Sequence, residues 1–224
     1  MKSCLFTGTR MLLEKKRLIQ RKNDFFIGEC CFFRWRMGLF DKKGYVAMTI
    51  ALAVKFATCD LCDVHKSNST GDFRVLPPVF RDFGAVKKFA GPVVTVKCFE
   101  DNTLVKAAVD SIGYLDTPDG RVGKVLVVDG GGSLRKALLG GNLGASAARN
   151  GWAGLVIDGC VRDTAELTNQ AVGIRALAAM PLPTEKRQQG EADVAVQVQG
   201  VWVRPGDWLY ADEDGIVLAS KALV

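Results

Sequence analysis

Hydrophobic and polar positions follow one another along residues 58–220 in blocks that predict short strands and helices. The clearest block is the stretch 125–167, in which two β-branched apolar runs, 125–128 and 154–157, each end in a polar turn. A helix candidate lies between the runs and extends from Gly140 to about Gly151. Two such runs separated by one helix predict a βαβ unit with parallel strands.

The polar ends of these two runs carry the most distinctive residues of the block. They are the glycine turn 129–133, the helix start Gly140-Gly141-Asn142-Leu143, and Arg162-Asp163. Loops at the carboxyl ends of neighbouring parallel strands open on the same edge of a sheet. The three segments are therefore expected to share one cleft.

The remaining blocks predict a single α/β domain with a mixed sheet and a C-terminal β-meander. Before the βαβ unit the pattern predicts a helix at 59–65, strands at 73–76 and 93–99, a helix at 101–112 and a turn at 117–120. After it, the pattern predicts a strand at 173–180, a polar loop at 184–191 and four short strands at 194–198, 201–203, 208–210 and 216–218.

The first 47 residues differ in character from the rest of the 224-residue chain. They carry eleven Lys and Arg against four Asp and Glu, a net charge of +7, which leaves −1 for residues 48–224 because the whole chain carries +6. Residues 1–47 are interpreted as a basic extension outside the fold, either a presequence or the result of a start codon placed upstream of Met48. The folded domain, 48–224, is then nearly neutral, which argues against a nucleic-acid groove on it.

Seven cysteines are scattered without the spacing of a disulfide framework, so we expect a reducing, cytoplasmic location. Cys59 and Cys62 form a CxxC without a second CxxC, and His65 is the single histidine, so a structural zinc site is not expected. Packing within the first helix is the favoured interpretation of both cysteines. The apolar runs of residues 1–47 are too short for a signal peptide or a membrane span.

Arg162-Asp163 is the sharpest candidate for chemistry. An arginine binds a carboxylate in two places, and an aspartate oxygen suits Mg²⁺ or Mn²⁺, so the pair can hold an anionic substrate and a hard metal. The alternative is structural. Asp163-Thr-Ala-Glu166 matches a helix capping box, in which Asp163 begins a helix and Arg162 forms a surface ion pair.

Other candidate motifs favour simpler interpretations. The helix start Gly140–Leu143 offers backbone N–H groups to a carboxylate, although glycine also suits a plain turn there. Gly130-Gly131-Gly132-Ser133 is neither a phosphate loop nor a dinucleotide fingerprint, and Ser133 has no histidine at triad spacing. His65 is interpreted as structural, and 212–215 as a solvated hairpin turn.

Several longer strings resemble one known family. They are ATCDLCD at 57–63, VFRDFG at 79–84, GPVVTVKCFEDN at 91–102, VLVVDGGGSLRKALLG at 125–140, NGWAGLVIDGCVRD at 150–163 and PGDWLYADEDGIV at 205–217. Together they resemble the family of regulator of ribonuclease activity A, which also contains 4-hydroxy-4-methyl-2-oxoglutarate aldolases. The resemblance implies a compact swivelling-type β/β/α fold and homotrimers, or hexamers built from two trimers.

The resemblance also implies two alternative functions. The family's aldolases cleave 4-hydroxy-4-methyl-2-oxoglutarate, or the related 4-carboxy-4-hydroxy-2-oxoadipate, to pyruvate with Mg²⁺ or Mn²⁺, and they decarboxylate oxaloacetate. Its regulators bind and inhibit a ribonuclease of the RNase E type without contacting RNA directly. The aldolases have an arginine followed by an aspartate after the second strand, as Arg162-Asp163 do, whereas the regulator branch lacks the aspartate. The resemblance therefore favours an enzyme.

Residue roles follow from the same resemblance. Asp163 would hold the metal, Arg162 would contact the substrate, and backbone groups of Gly140, Gly141, Asn142 and Leu143 would hold the pyruvate-like carboxylate. Glu166, in the RDxxE arrangement, would support the metal ligand. One departure stands out: the aldolases usually read Gly-Asp-Asn-Leu, and this chain has Gly141 where they have aspartate. The missing carboxylate is expected to impair proton transfer or the ordering of metal-bound water.

Overall fold

The structure is a computed structural model that describes residues 55–224, so the predictions for 1–47 and Met48 lie outside the described residues. The helices are α1 (Thr58–His65), α2 (Thr103–Asp110), α3 (Gly141–Arg149) and α4 (Thr164–Leu167). The strands are β1 (Phe73–Val75), β2 (Arg81–Asp82), β3 (Phe89–Lys97), β4 (Tyr114–Thr117), β5 (Gly120–Gly123), β6 (Val125–Leu139), β7 (Gly154–Val161), β8 (Gly173–Ala179), β9 (Glu191–Ala192), β10 (Val196–Val198), β11 (Val201–Val203), β12 (Trp208–Ala211) and β13 (Ile216–Ala219).

Nine of these strands form one mixed sheet. Its order is β1-β13-β12-β3-β6-β7-β8-β2, with β9 paired to β3. The central pairs β3–β6, β6–β7 and β7–β8 are parallel, and the outer pairs are antiparallel. The mixed α/β fold predicted from the sequence is confirmed, and so is the parallel pairing of the two strands of the βαβ unit.

The sheet is buried on both faces, which explains why its central strands are continuously apolar. On β6, Leu126 and Val128 pack with the residues of α2 and α3, whereas Val125 and Val127 pack with Val196 and other residues of the β10–β11 hairpin. All eight residues of β7 are buried. No helix among residues 55–224 is long and apolar enough to span a membrane.

The ring of Phe89 lies against two glycines of the sheet. A Cβ added at Gly154 would lie 2.2 Å from one edge of this ring, and a Cβ added at Gly173 would lie 2.1 Å from the other. Gly154 and Gly173 are partners in the β7–β8 ladder, so the two glycines form a flat floor for the ring. Glycine is required at both positions because Phe89 occupies the space of the side chains.

We expect Gly173→Ala to lower the free energy of unfolding by about 1–3 kcal/mol, since the new methyl group forces the buried Phe89 ring out of its place. Denaturant unfolding of the variant and the parent measures this difference. Gly215→Ala is the control, because a Cβ at Gly215 would have no atom within 4 Å. Equal losses in both variants would contradict the proposed packing.

The glycine-rich segment 130–132 is part of a strand and does not form the turn that the sequence predicted. β6 continues to Leu139, and it advances from Asp129 to Leu139 while its partner β7 advances only from Asp158 to Val161. The extra residues form bulges, and both Gly131 and Gly132 have a φ of +65°, in the left-handed region that glycine favours. The true end of β6, Leu139, is therefore eleven residues beyond the end of the apolar run at Val128, because glycine and serine in bulges interrupt the pattern without ending the strand.

The C-terminal strands were placed almost correctly, but they do not form one meander. β10 and β11 pair only with each other, whereas β12 and β13 pair with each other and extend the large sheet. The turn at 117–120 is confirmed, and the structure adds the flanking strands β4 and β5. The predicted helix at 101–112 is shorter, since α2 begins at Thr103 and ends at Asp110.

The buried Asp101 side chain connects α2 to the loop that precedes β9. Its carboxylate accepts hydrogen bonds from the N–H groups of Thr103 at 2.7 Å, Arg187 at 2.6 Å and Gln189 at 3.3 Å. Burial by itself would raise the pKa of Asp101, but the hydrogen bonds that its carboxylate accepts from these N–H groups outweigh the burial and lower the pKa to about 2. The ionised carboxylate thus stabilises the fold.

Stability should fall as the pH drops from about 4 to 2, because the unfolded chain takes up a proton on this group before the folded chain does. The contribution above pH 4 is about 2–3 kcal/mol. Urea unfolding at pH 6, 4 and 3 measures it. Asp101→Asn should be less stable than the parent at pH 6 and show a flatter pH dependence, whereas Asp119→Asn, in an exposed turn, should behave as the parent does. A parent-like pH profile for Asp101→Asn would count against this assignment.

Candidate active site

Two neighbouring strand ends build the candidate site. β6 ends at Leu139 and leads through Gly140 into α3, and the parallel strand β7 ends at Val161 and leads into Arg162. The N–H of Arg162 donates to the carbonyl oxygen of Leu139 at 2.9 Å, which holds the two loops side by side. The structure thus brings the helix start and Arg162-Asp163 into one cleft, as the sequence predicted.

The segment Gly130–Gly132 does not join this cleft, contrary to the prediction. Cβ atoms added at Gly131 and Gly132 would contact Phe99 and the side chains of Gln199 and Asp158, respectively. Because β6 continues beyond these bulges, its carboxyl end, and with it the cleft, is at Leu139.

Asp163 turns its side chain toward α3. It has a φ of 56° and a ψ of 43°, in the left-handed region, where a non-glycine residue is strained by roughly 1–2 kcal/mol, although aspartate tolerates it better than most. Its Oδ2 accepts a hydrogen bond from the N–H of Gly141 at 3.1 Å and makes no capping bond to α4. The capping-box hydrogen bond is therefore absent, although α4 does begin directly after Asp163 and Arg162 does pair with it at the surface. Strained backbone of this kind is common at functional sites.

Arg162 and Asp163 form an open pair of opposite charges. The Nε of Arg162 lies 3.5 Å from Oδ2 of Asp163, and the two side chains are 41% and 40% exposed. A small anion and a hydrated cation can therefore reach them from solvent. Exposure of this extent also means that the pair itself adds little to stability.

The two glycines at the helix start make room for the charged side chains. A Cβ at Gly140 would lie 2.8 Å from Oδ2 of Asp163 and 3.2 Å from Nε of Arg162. A Cβ at Gly141 would lie 1.9 Å from Oε2 of Glu166. The carboxylate of Glu166 thus occupies the space in which a side chain at position 141 would begin.

This contact changes the significance of the departure at Gly141. The sequence comparison suggested that the cleft lacks a carboxylate there, but Glu166 brings one to the same place from α4. The sequence identified Glu166 as a supporting residue and missed that it fills the space over Gly141. The sequence feature that could have indicated this contact is the presence of a glycine at position 141 together with a glutamate three residues after Asp163.

The backbone N–H groups of Gly140–Leu143 are less available than predicted. The N–H of Gly141 donates to Asp163, and the N–H of Leu143 donates to the carbonyl oxygen of Gly140 at 3.1 Å. Asn142, the second residue of α3, is exposed, and its N–H can point to a substrate carboxylate. The predicted cradle thus loses the N–H groups of Gly141 and Leu143 and retains those of Gly140 and Asn142, together with the guanidinium of Arg162.

A second contact holds α4 in place and was not anticipated from the sequence. Leu167 is fully buried, and a Cβ at Gly144 would lie 2.5 Å from its Cδ2. Gly141 and Gly144 are three residues apart and lie on one face of α3, against Glu166 and Leu167 of α4. Small residues at this spacing were the sequence signal for a close approach.

The cleft offers two hard oxygen ligands, the carboxylates of Asp163 and Glu166. Among residues 55–224 no group of three or more His, Cys, Asp or Glu side chains is placed to hold a metal ion. Mg²⁺ is often bound by one or two carboxylates and retains several waters, and Mn²⁺ also suits oxygen ligands. The donor set therefore fits a hydrated divalent cation and does not fit zinc, which takes a closed set of nitrogen or sulfur ligands in structural sites.

The remaining sequence candidates have structural roles. The ring of His65 stacks on Phe73 with 5.1 Å between centroids, and Ser133 donates to Oε1 of Glu100 at 2.7 Å. Asp212 is buried and accepts hydrogen bonds from the N–H and hydroxyl of Thr58 at 2.7 and 2.6 Å. The turn 212–215 is thus partly buried, and it anchors the start of α1.

The CxxC motif shows no sign of a reactive thiol. Cys62 packs against the small cluster around Tyr210, as expected, but Cys59 is exposed, so the packing interpretation is wrong for Cys59. The charge of Asp214 raises the pKa of Cys59, and burial raises the pKa of Cys62. Both groups therefore favour the neutral thiol, which is the less nucleophilic form.

The fold and the cleft together define a class of protein: a mixed α/β domain with an exposed pair of opposite charges at the ends of two parallel strands. Residues 58–218 match the profile of the RraA-like family described as Aldolase/RraA. The chain belongs to this family.

Relatives of known name span the described domain. The chain is 77% identical over 169 residues to a protein of Albidiferax ferrireducens named "Putative 4-hydroxy-4-methyl-2-oxoglutarate aldolase", which covers 75% of this chain and 98% of that protein. It is 54% identical over 170 residues to a protein of the same name from Burkholderia mallei, with 75% and 98% covered.

Two solved structures share the fold. The RNA-processing inhibitor RraA from Thermus thermophilis aligns with a TM-score of 0.68 at 45% identity, over 76% of this chain and 96% of that one. A Geobacillus kaustophilus structure described as S-adenosylmethionine: 2-dimethylmenaquinone methyltransferase aligns with a TM-score of 0.67 at 39% identity, over 75% and 97%. The names of these similar proteins thus describe different functions, whereas the two solved structures share the fold of this chain.

Proposed function

We propose that the chain is a divalent-metal-dependent carbon–carbon lyase that cleaves 4-hydroxy-4-methyl-2-oxoglutarate, or the related 4-carboxy-4-hydroxy-2-oxoadipate, to pyruvate. Decarboxylation of oxaloacetate is proposed as a second activity. The observation that supports this is the convergence of Arg162, Asp163 and Glu166 on the glycine pair that begins α3. The names of the two relatives agree with the proposed substrate.

The proposed reaction breaks the bond between C3 and C4 of the substrate. The 4-hydroxyl loses its proton to a base, a carbonyl forms at C4, and the electrons of the broken bond pass to the 2-oxo group as an enolate. C3 then takes up a proton, so that 4-hydroxy-4-methyl-2-oxoglutarate yields two pyruvates. Loss of carbon dioxide from oxaloacetate yields the same enolate, which is why one cleft would serve both reactions.

The cleft residues would divide this work. The guanidinium of Arg162 would bind the substrate carboxylate and stabilise the negative charge that develops on the 2-oxo group; a single group of this kind is worth roughly 10²–10³ in rate. Asp163 would hold Mg²⁺ or Mn²⁺ together with waters of the ion, and the metal when bound would supply Lewis-acid stabilisation of the oxyanion. The N–H of Asn142 would fix the second carboxylate oxygen.

Glu166 is the proposed base. Among residues 55–224 its carboxylate accepts no hydrogen bond, whereas Oδ2 of Asp163 is already bound to the N–H of Gly141. A carboxylate without a protein donor retains the lone pairs needed to accept the proton of the 4-hydroxyl. The glutamate would thereby replace the aspartate that the sequence comparison found missing at position 141.

The direct test is release of pyruvate by the full chain from 4-hydroxy-4-methyl-2-oxoglutarate and from oxaloacetate, followed through a coupled lactate dehydrogenase assay. We expect release from both in Mg²⁺ or Mn²⁺, loss of release in EDTA, and recovery when excess metal is added back. Folded protein that releases pyruvate from neither substrate, with either metal, would overturn the proposal.

A second function has its own support, the similarity to the RNA-processing inhibitor at 45% identity. Under this alternative the chain would bind and inhibit a ribonuclease of the RNase E type, without contacting RNA directly. Binding to such a ribonuclease should then persist in Asp163→Asn, and pyruvate release should be absent from the parent. The homotrimer or hexamer that the sequence resemblance implies stays a prediction under both functions, and size-exclusion chromatography with light scattering measures it.

A further inference from the structure

A second concave site lies outside the cleft, between β1 and the β10–β11 hairpin. It is a pocket of about 410 Å³, and none of its lining residues belongs to the candidate active site. Two arginines, two half-exposed apolar side chains and two glycines contribute to it: Arg74, Arg204, Val75, Trp202, Gly71 and Gly200, together with Val201. A Cβ at either glycine would have no atom within 4 Å, so the pocket mouth is open on both sides.

Arg74 uses only part of its guanidinium within the protein. Its Nη1 donates to the carbonyl oxygen of Trp202 at 2.7 Å and lies 3.0 Å from Oδ2 of Asp207. Its Nε and Nη2 are buried and have no hydrogen-bond partner among residues 55–224. These two nitrogens form the edge of an arginine that binds a carboxylate in two places. Buried donors without an acceptor are rare in folded proteins and need an explanation.

The charge around the pocket favours an anion. Asp207 is the carboxylate that contacts Arg74, and its Oδ2 also accepts the backbone N–H of Arg204 at 2.7 Å. The Arg204 side chain is exposed and forms no ion pair with any carboxylate of residues 55–224. The carboxylate of Asp72 also lies close enough to Arg74 to be influenced by its charge, but it accepts a hydrogen bond from the hydroxyl of Thr70. The exposed guanidinium of Arg204 therefore remains available to an anion.

The apolar part of the lining favours an anion that carries a flat organic group. Trp202 and Val75 are each 51% exposed, so both present apolar surface to solvent at the pocket. An indole face suits stacking by an aromatic ring. An incoming carboxylate must displace neighbouring atoms to reach Nε and Nη2 of Arg74, because both nitrogens are buried.

We propose that this pocket is a binding site for a small aromatic carboxylate. The Nε–Nη2 edge of Arg74 and the guanidinium of Arg204 take the carboxylate, and Trp202 takes the ring. The site is independent of the proposed lyase reaction, since it shares no residue with the cleft.

Isothermal titration of the full chain with benzoate, acetate and inorganic phosphate tests the assignment. Benzoate should bind with a Kd of about 1 mM or below, and acetate at least about tenfold more weakly because it lacks a ring. Arg74→Lys retains a charge for Asp207 but loses the two-nitrogen edge, and it should weaken benzoate binding by about tenfold. Arg204→Gln should weaken it severalfold, and Trp202→Leu should remove the preference for benzoate over acetate.

Two controls separate this site from other arginines. Arg121→Gln makes the same charge change on the exposed β4–β5 hairpin, and Arg162→Gln makes it in the cleft; both should leave the Kd for benzoate unchanged. Absence of benzoate binding, tighter binding of phosphate than of benzoate, or weakening by Arg162→Gln in place of Arg204→Gln would overturn the proposal. None of these outcomes depends on whether the chain releases pyruvate.

Discussion

Asp163→Asn is expected to reduce metal-dependent pyruvate release by at least about 10³-fold while the protein remains folded. Asparagine has nearly the same shape, tolerates the left-handed backbone, and still offers an oxygen to the N–H of Gly141. It removes only the charge that the proposed cation requires. The loss should appear in kcat/KM at saturating Mg²⁺, and the denaturant midpoint should change little, because the side chain is 40% exposed.

The chain contains a well-matched control for this substitution. Asp193 is exposed, and with a φ of 55° it has the same left-handed backbone as Asp163 but belongs to the segment before β10. Asp193→Asn should therefore retain parent activity. Full activity in Asp163→Asn would exclude the proposed role, and equal losses in both variants would indicate a general effect of charge.

The second large effect is expected from a pair of substitutions at positions 141 and 166. Gly141→Asp alone should reduce activity by about 10²-fold, since the new Cβ and the carboxylate of Glu166 cannot occupy the same space. Stability should fall only modestly, because Oε2 and Cδ of Glu166 belong to the far end of an exposed side chain and can move away, whereas its Cβ, at 3.1 Å, must shift by a few tenths of an ångström. Glu166→Ala alone should lose a similar factor, as the carboxylate is absent.

The combination Gly141→Asp with Glu166→Ala should recover most of the activity. The aspartate would then supply a carboxylate at the same place without meeting the carboxylate of Glu166, so the two changes would be strongly non-additive in a double-mutant cycle. Steady-state kinetics of the four proteins gives the coupling energy. Additive losses would show that Glu166 and a side chain at 141 do not substitute for one another. They would support the first interpretation of Gly141, in which the missing carboxylate impairs the enzyme.

The central βαβ unit could be predicted because its strands are buried on both faces and give unbroken apolar runs. The end of β6 could not, since the bulges at Gly131 and Gly132 have the composition of a turn. Likewise, the pairing partners of β10 and β11 depend on contacts distant in sequence, so periodicity located the strands without showing that they form a sheet of their own.

For the candidate site, the sequence identified the residue types and their common edge but could not resolve their contacts. Asp163 matched both a metal ligand and a helix cap, and only the direction of its side chain, toward Gly141, distinguishes the two. The partnership of Gly141 and Glu166 was also invisible, because their approach depends on how closely α3 and α4 pack. Arg74 belongs to a β-strand pattern, and nothing in that pattern indicates that two of its nitrogens lack partners.

The one-turn helix α4 links the chemistry of the cleft to the interior of the domain. Four residues are too few to form a stable helix in isolation. Leu167, buried against Gly144, anchors this turn in the core. Asp163 directly precedes the turn, and Glu166 lies within it. Substitutions that loosen the packing around Leu167 would displace both carboxylates from the cleft together. Inactivating changes should therefore accumulate among apolar positions that never meet a substrate.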